Sequence, residues 1–163
     1  ALDPRSTCSI VKLVKTTTKR PVITKLSPNV TDIVEIALSA QEGGSDAVSL
    51  VNTFLAMAVD IHTRKPRLAN IFGGLSGPAI KPLALRMVYQ TAQALSIPVI
   101  GLGGIMTAED AMEFLLAGAS AIQVGTANFI DPRAAVKIVQ GLYRYCRDKG
   151  VSRIRDLTGA LEV

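Results

Sequence analysis

Strand and helix patterns alternate along almost the whole chain. A helical apolar stripe comes first, and four β-rich runs follow, each succeeded by a helical pattern. The four runs are residues 21–27, 46–52, 97–103 and 120–125. Repeated strand–helix units predict a parallel sheet with right-handed crossovers. Two architectures satisfy this pattern, a small doubly wound sheet and half of a (βα)8 barrel, and periodicity alone does not choose between them.

Capping residues and glycines predict where the helices begin and end. The predicted helices run from Asp3-Pro4 to Thr16, from Thr31 to Gly43-Gly44, from 79 to 95, from Thr107 through Leu116 to Gly118, and from Asp131-Pro132 to Gly150. The runs 97–103 and 120–125 are so apolar that both faces of these strands are expected to be buried. Residues 53–77 look irregular and are far longer than the roughly 2–6 residues usual in a βα connection, which indicates functional content.

Composition excludes several classes of function. Hydrophobic residues make up 48% and charged residues 19%, which is typical of a globular chain rather than a disordered one. No apolar run approaches the ~20 residues of a membrane helix. The net charge of +5 is spread along the chain and aromatics are only 4%, so we expect no nucleic-acid binding.

The cysteines indicate the cellular location, and the first residues indicate the place of this chain within a longer protein. Cys8 and Cys146 have no metal-site spacing, so no metal is predicted, and two isolated cysteines favour a reduced, cytoplasmic location. The chain opens with ALDPRSTCS, without a signal-peptide pattern. We therefore expect a start in the middle of a longer protein.

Two glycine-rich segments follow the last two predicted strands. They are GLGGI at 101–105 and VGTANF at 124–129. Glycine lets the backbone approach a ligand and present N–H groups, and barrels commonly bind phosphate on the loops after strands seven and eight, beside a short extra helix. We expect residues 127–131 to form that helical turn. Neither segment follows G-x-G-x-x-G, which disfavours a dinucleotide-binding fold, although plain tight turns remain an alternative.

Lys25 ends an otherwise apolar predicted strand. A lysine at such a place indicates an anionic partner, and the negatively charged N1 edge of a reduced flavin is one candidate. The alternative is a lysine whose ammonium extends to solvent at the rim of the sheet.

Polar and glycine residues after the next strand form a third candidate element. Asn52 and Thr53 offer donors and acceptors to a planar heterocycle, unless Asn52 only caps a turn. In GGLSGPAIKP at 73–82, Gly77 can let backbone lie against a flat ring. His62 is interpreted as a solvated loop residue.

The ordered set of these segments resembles the flavin subunit of dihydroorotate dehydrogenases, particularly the NAD-linked class. The segments are K-L-S-P-N at 25–29, V-N-T at 51–53, A-V-D-I-H-T-R-K-P at 58–66, G-G-L-S-G-P-A-I-K-P at 73–82, G-L-G-G-I at 101–105 and V-G-T-A-N at 124–128. They cover nearly the whole chain with the family's order and spacing, and N-T-F-L-A-M at 52–57 resembles the NAD-linked class. The resemblance implies an α/β fold, the (βα)8 TIM barrel. Residues 1–163 would supply about its last four βα units, the C-terminal half of one FMN-binding domain.

The resemblance also implies a role for each site residue. The residues that would bind FMN are Lys25 at the N1/C2 edge, Val51 and Gly77 at the ring, and Gly103, Gly104, Gly125 and Thr126 at the phosphate end. Asn52 and Thr53 would bind dihydroorotate or orotate. The family takes a proton from C5 of dihydroorotate, passes hydride from C6 to the flavin, and sends electrons to NAD through a partner subunit with FAD and a [2Fe–2S] cluster. A homodimer with this electron-transfer subunit is the implied assembly.

The family's catalytic base has no counterpart in this sequence. It is a cysteine in an S-C-P-N-like loop after the fourth strand, a place that lies upstream of Ala1. Cys8 has no Pro-Asn after it and falls within a helix, so we predict no catalytic residue in this chain and an inactive isolated fragment. Three alternatives stay open: the flavin domain of a dihydropyrimidine dehydrogenase-like enzyme, a non-flavin phosphate-binding barrel, and a non-enzymatic half-barrel scaffold.

Overall fold

Eight strands and six α-helices make up the chain, of which the computed structural model describes residues 2–162. The strands are β1 (Ile23–Lys25), β2 (Ala47–Leu50), β3 (Phe54–Met57), β4 (Val59–Asp60), β5 (Lys65–Pro66), β6 (Phe72–Leu75), β7 (Val99–Leu102) and β8 (Ala121–Gln123). The helices are α1 (Pro4–Thr17), α2 (Ile33–Glu42), α3 (Lys81–Ala94), α4 (Ala108–Leu116), α5 (Ala127–Ile130) and α6 (Ala134–Asp148). Between residues 2 and 162, no helix has both the length and the hydrophobicity that crossing a membrane requires.

The central sheet is parallel and follows the order of the sequence. Its four strands lie side by side as β1, β2, β7 and β8. Lys25 lies opposite Ser49, and Ser49 opposite Ile100, which brings the carboxyl ends of the strands to one edge. A doubly wound sheet reverses its strand order and carries helices on both faces. The described part of the chain has neither feature, so the predicted parallel sheet is confirmed and the doubly wound alternative is wrong.

The hydrophobic core lies on one face of this sheet only. Val48, Val99 and Phe114, all at most 2% exposed, belong to the cluster that joins the strands to the helices. On the opposite face Ile23 is 52% exposed, and Ala121 is exposed as well. The expectation that 97–103 and 120–125 are buried on both faces is therefore wrong, because the helices cover only one side of these strands.

Residues 53–77 are not irregular, as the sequence suggested, but form a β-ribbon. Strand β3 pairs antiparallel with β6, and β4 pairs with β5 beyond them. Leu55, Met57 and Phe72 share one face of the ribbon and are each more than half exposed. The prediction failed because glycine-rich and short strands of this kind lack the alternation that marks a half-buried strand.

The starts of α1 and α4 agree with the sequence, whereas α2, α3 and α6 begin later than predicted. The side chain of Asp3 accepts a hydrogen bond from the Ser6 N–H at 2.7 Å, and Thr107 forms a capping box with Asp110, both as predicted. Asp32 caps α2 in place of Thr31, because its carboxylate reaches the N–H groups of the first turn. The last helix begins at Ala134, since Asp131 instead closes a turn with the Arg133 N–H.

Candidate functional site

A cavity of about 200 Å³ lies at the carboxyl ends of the four parallel strands. All nine residues singled out in the sequence line it, namely Lys25, Val51, Asn52, Thr53, Gly77, Gly103, Gly104, Gly125 and Thr126. Ligands of open α/β sheets bind at this edge, because the loops that leave the strands converge there. Residues up to 101 positions apart in the chain thus meet in one place.

Backbone conformation explains the glycines after β7. Gly103 and Gly104 have φ values of +137° and +73°, which L side chains rarely adopt. A Cβ on Gly104 would lie 2.8 Å from both the carbonyl oxygen of Gly77 and the nitrogen of Lys81. The turn at 103–104 therefore packs backbone against backbone on the turn that begins α3.

Three residues that line the cavity have backbone donors without a partner in the described chain. Within residues 2–162, no protein group accepts a hydrogen bond from the N–H of Gly104, Gly125 or Thr126. A Cβ on Gly125 would meet no atom within 4 Å, and the Thr126 hydroxyl donates to or accepts from Ser76 at 2.9 Å. Open space bordered by free N–H groups is the arrangement that an anion such as phosphate requires.

Lys25 supplies positive charge to the cavity. It is the only charged side chain among the described residues that line the cavity, and it forms no salt bridge with any of them. It lies on the same face of the sheet as the exposed Ile23 and is itself exposed. The cavity thus combines a cation with backbone donors.

The backbone at Thr53 and Leu55 is held by Asn29, a residue to which the sequence analysis assigned no role. The Asn29 carboxamide donates to the Thr53 carbonyl at 3.0 Å and accepts from the Leu55 N–H at 2.9 Å. The Asn52 side-chain oxygen accepts from the Thr53 N–H at 2.8 Å, as in a capped turn. Its amide nitrogen makes no hydrogen bond with the rest of the described chain, so Asn52 keeps donors for a ligand.

Ser76, Gln123 and Phe129 also line the cavity and were missed in the sequence. Phe129 is 91% exposed, although a phenylalanine normally buries most of its surface. The signal for Ser76 and Phe129 was available, since both lie within the glycine-rich segments 73–82 and 124–129, whereas nothing marked Gln123 in its apolar strand.

A larger groove of about 610 Å³ lies elsewhere, between α4 and α6. None of the predicted residues lines it, and acidic and basic side chains such as Glu109, Lys137 and Arg144 stand along it. Size alone therefore does not mark the functional site. Cys8 in α1, Cys146 in α6 and His62 in the β4–β5 turn lie outside the 200 Å³ cavity, and His62 is exposed, as predicted.

Comparison with known proteins decides the family. The dihydroorotate dehydrogenase family model matches residues 2–145. The chain belongs to this family. A relative from Geobacter sulfurreducens, named dihydroorotate dehydrogenase B (NAD(+)), catalytic subunit, is 58% identical over 161 residues, which are 99% of this chain and 53% of the relative. A protein of the same name from Alkaliphilus metalliredigens is 56% identical over 98% of this chain and 53% of its own length.

The chain spans about half the length of these dihydroorotate dehydrogenases. Both relatives carry the NAD-linked name, which agrees with the resemblance seen at residues 52–57. The family identified from the ordered motifs is thereby confirmed.

Proposed function

We propose that this chain forms part of a dihydroorotate dehydrogenase that oxidises dihydroorotate to orotate with FMN, a step of pyrimidine biosynthesis. The observation that carries the proposal is the convergence of nine family-type residues on one cavity at the carboxyl edge of the sheet. Membership of the family supports it independently.

The proposed architecture is a (βα)8 barrel to which residues 1–163 contribute the last four βα units of a single domain. Three features support it: a parallel sheet in sequential order, helices on one face only, and unpaired edges at β1 and β8 within the described residues. Four more strands would pair with both edges and close the sheet, which places the uncovered face inside the barrel.

The residues that line the cavity fit FMN by their chemistry. The phosphate would accept hydrogen bonds from the free N–H groups of Gly104, Gly125 and Thr126, beside Gly103, where no side chain intervenes. Lys25 would neutralise negative charge at the N1/C2 edge of the ring, while Val51 and Gly77 would provide apolar and backbone contact. When bound, FMN supplies the hydride-accepting chemistry.

Asn52 and Thr53 would bind dihydroorotate and orotate. Both are exposed and line the same cavity as Lys25; Asn29 holds the backbone of Thr53, and the Leu26 carbonyl accepts from the Asn52 N–H. Carboxamide and hydroxyl groups match the alternating N–H and C=O groups of a pyrimidine ring. The base that removes the C5 proton is proposed to lie outside this chain, since neither described cysteine lines the cavity.

The proposed partners are a second copy of the subunit and an electron-transfer subunit with FAD and a [2Fe–2S] cluster, in the cytoplasm. The word "subunit" in the relatives' names supports an assembly, and the exposed apolar face of the ribbon offers surface for a contact. A strictly monomeric complete enzyme in light scattering would contradict the homodimer.

A chimera tests the function. The N-terminal half of the Geobacter sulfurreducens relative is fused in front of residue 1; this fusion is called the chimera below. We expect it to purify yellow and to reduce a dye in the presence of dihydroorotate. A chimera that binds phosphate but no flavin would instead favour a non-flavin phosphate-binding barrel, and a folded chimera without either ligand would contradict the proposal.

Lys25→Ala in the chimera should weaken FMN binding and slow flavin reduction by dihydroorotate. The fold should persist, because the side chain is exposed and packs in no core. Removing a charge partner of this kind costs roughly 1.5–3 kcal/mol, about a tenfold to hundredfold loss of affinity. Flavin fluorescence titration and stopped-flow reduction measure the two effects, and Lys25→Arg, which keeps the charge, is the control. Parent-like affinity and reduction rate in Lys25→Ala would remove Lys25 from the site.

A further inference from the structure

An ion-pair cluster stands directly behind the glycine turn at 103–104. The Lys81 ammonium lies 2.7 Å from Oδ1 of Asp110 and 2.8 Å from Oε1 of Glu113. These three residues, called here the Lys81 cluster, connect the first residue of α3 to the first two turns of α4. None of them lines the 200 Å³ cavity, so none contacts a ligand placed there.

Asp110 extends the cluster to the backbone that leaves the glycine turn. Its second oxygen, Oδ2, accepts hydrogen bonds from the N–H groups of Met106 and Thr107, each at 2.9 Å. One carboxylate therefore binds Lys81 with one oxygen and residues 106–107 with the other. The chain immediately after the turn is attached to the start of α3 through this single side chain.

The other side of the turn rests on the same residue. An added Cβ at Gly104 would lie 2.8 Å from both the nitrogen and the Cβ of Lys81. The turn thus packs at residue 104 on the backbone and Cβ of Lys81, and it is held at 106–107 by the Asp110 carboxylate, which the Lys81 ammonium contacts. Loss of that ammonium would leave the packing at residue 104 in place and would remove the contact that orients the Asp110 carboxylate toward α3.

The pairing of Lys81 with Asp110 favours the charged forms of both groups. Burial of the Asp110 carboxyl opposes its ionisation, but the Lys81 ammonium and the two backbone N–H groups outweigh this and hold its pKa below the usual value. Hydrogen bonds to Asp110 and then Glu113 raise the pKa of Lys81. Side chains of Lys81 and Asp110 are only 26% and 16% exposed, which limits screening by solvent.

We propose that Lys81 and Asp110 are positioning residues, which hold the Gly103–Gly104 turn so that its N–H groups point at the phosphate of FMN. The inference rests on the FMN site proposed above. Preorganised donors bind an anion tightly because no ordering remains to be done on binding. Without the Lys81 cluster, the N–H groups of the Gly103–Gly104 turn would still be present but would no longer point at the phosphate.

Lys81→Met in the chimera tests this idea, since methionine keeps most of the side-chain length without the charge. We expect FMN to bind about tenfold or more weakly, as small misplacements of binding groups have effects of this size. Lys81→Arg, which can still bridge two carboxylates, should restore most of the affinity. Hydrogen exchange of residues 103–107, measured in the chimera and in the full 163-residue chain, should be faster in Lys81→Met.

Lys15→Met is the matched control, because Lys15 binds Asp46 at 2.8 Å and Asp46 also accepts a backbone N–H, that of Val22. This pair lies before the amino ends of β1 and β2, opposite the cavity. Lys15→Met should therefore lower the stability of the chimera without changing its affinity for FMN. Equal FMN affinity in Lys81→Met and the parent would overturn the positioning role and leave the function intact. A parent chimera that binds no FMN would overturn the function itself, and the positioning role with it.

Discussion

Gly104→Val should abolish FMN retention and strongly destabilise the protein. Gly104 has a φ of +73°, a conformation that costs a β-branched residue about 1–3 kcal/mol. The new Cβ would also press within 2.8 Å on backbone atoms of Gly77 and Lys81, and overpacking of this kind adds about 1–3 kcal/mol. Since domains are stable by only about 5–15 kcal/mol, a large part of the stability would be lost. Denaturant unfolding and flavin absorbance of the chimera measure both effects.

Valine substitutions at two other glycines separate the effect of backbone conformation from the effect on FMN binding. Gly150 also has a positive φ, +66°, but an added Cβ meets nothing within 4 Å, so Gly150→Val should show the conformational cost alone and keep its FMN. Gly125 lines the cavity in open space without a left-handed backbone, so Gly125→Val should fold normally and lose flavin. Full flavin retention in both Gly104→Val and Gly125→Val would refute the phosphate site at these two loops.

The 163-residue polypeptide by itself should self-associate, purify without tightly bound FMN and show no oxidation of dihydroorotate. Strands β1 and β8 are unpaired edges among the described residues, and Ile23 on the uncovered face is 52% exposed. Unpaired edges and exposed apolar surface both promote association. Size-exclusion chromatography with an absorbance scan and a dye-reduction assay provides the test.

Lysine side chains introduced on the edge strands β1 and β8 should reduce the self-association of the 163-residue polypeptide. Ile23→Lys and Ala121→Lys place a lysine on the exposed face of each edge strand, and natural sheets use lysine there to block pairing. The double variant should elute closer to monomer size than the parent chain. A yellow, monomeric and active parent polypeptide would contradict the prediction and would return Cys8 to consideration as the base.

Local sequence patterns predicted most elements because the interactions behind them are local. Asp3 and Thr107 cap helices through bonds to residues three positions away, and such spacing can be read directly. The same logic placed the four strands of the sheet and the turn at 127–131, observed as α5. It failed where two local candidates compete, as at Thr31 and Asp32, because the choice depends on where each side chain points.

The sequence by itself determined the order of the βα units, the family and nine of the residues that line the cavity, since strand order in a parallel sheet brings their carboxyl ends together. Only the tertiary structure decided the ribbon at 54–75, the uncovered face that carries Lys25, and the links from Asn29 to Thr53 and from Lys81 to Glu113. Those links span 24 and 32 residues. Their partners meet only because packing of the helices on one face sets the distance between loops, and no local pattern encodes that distance.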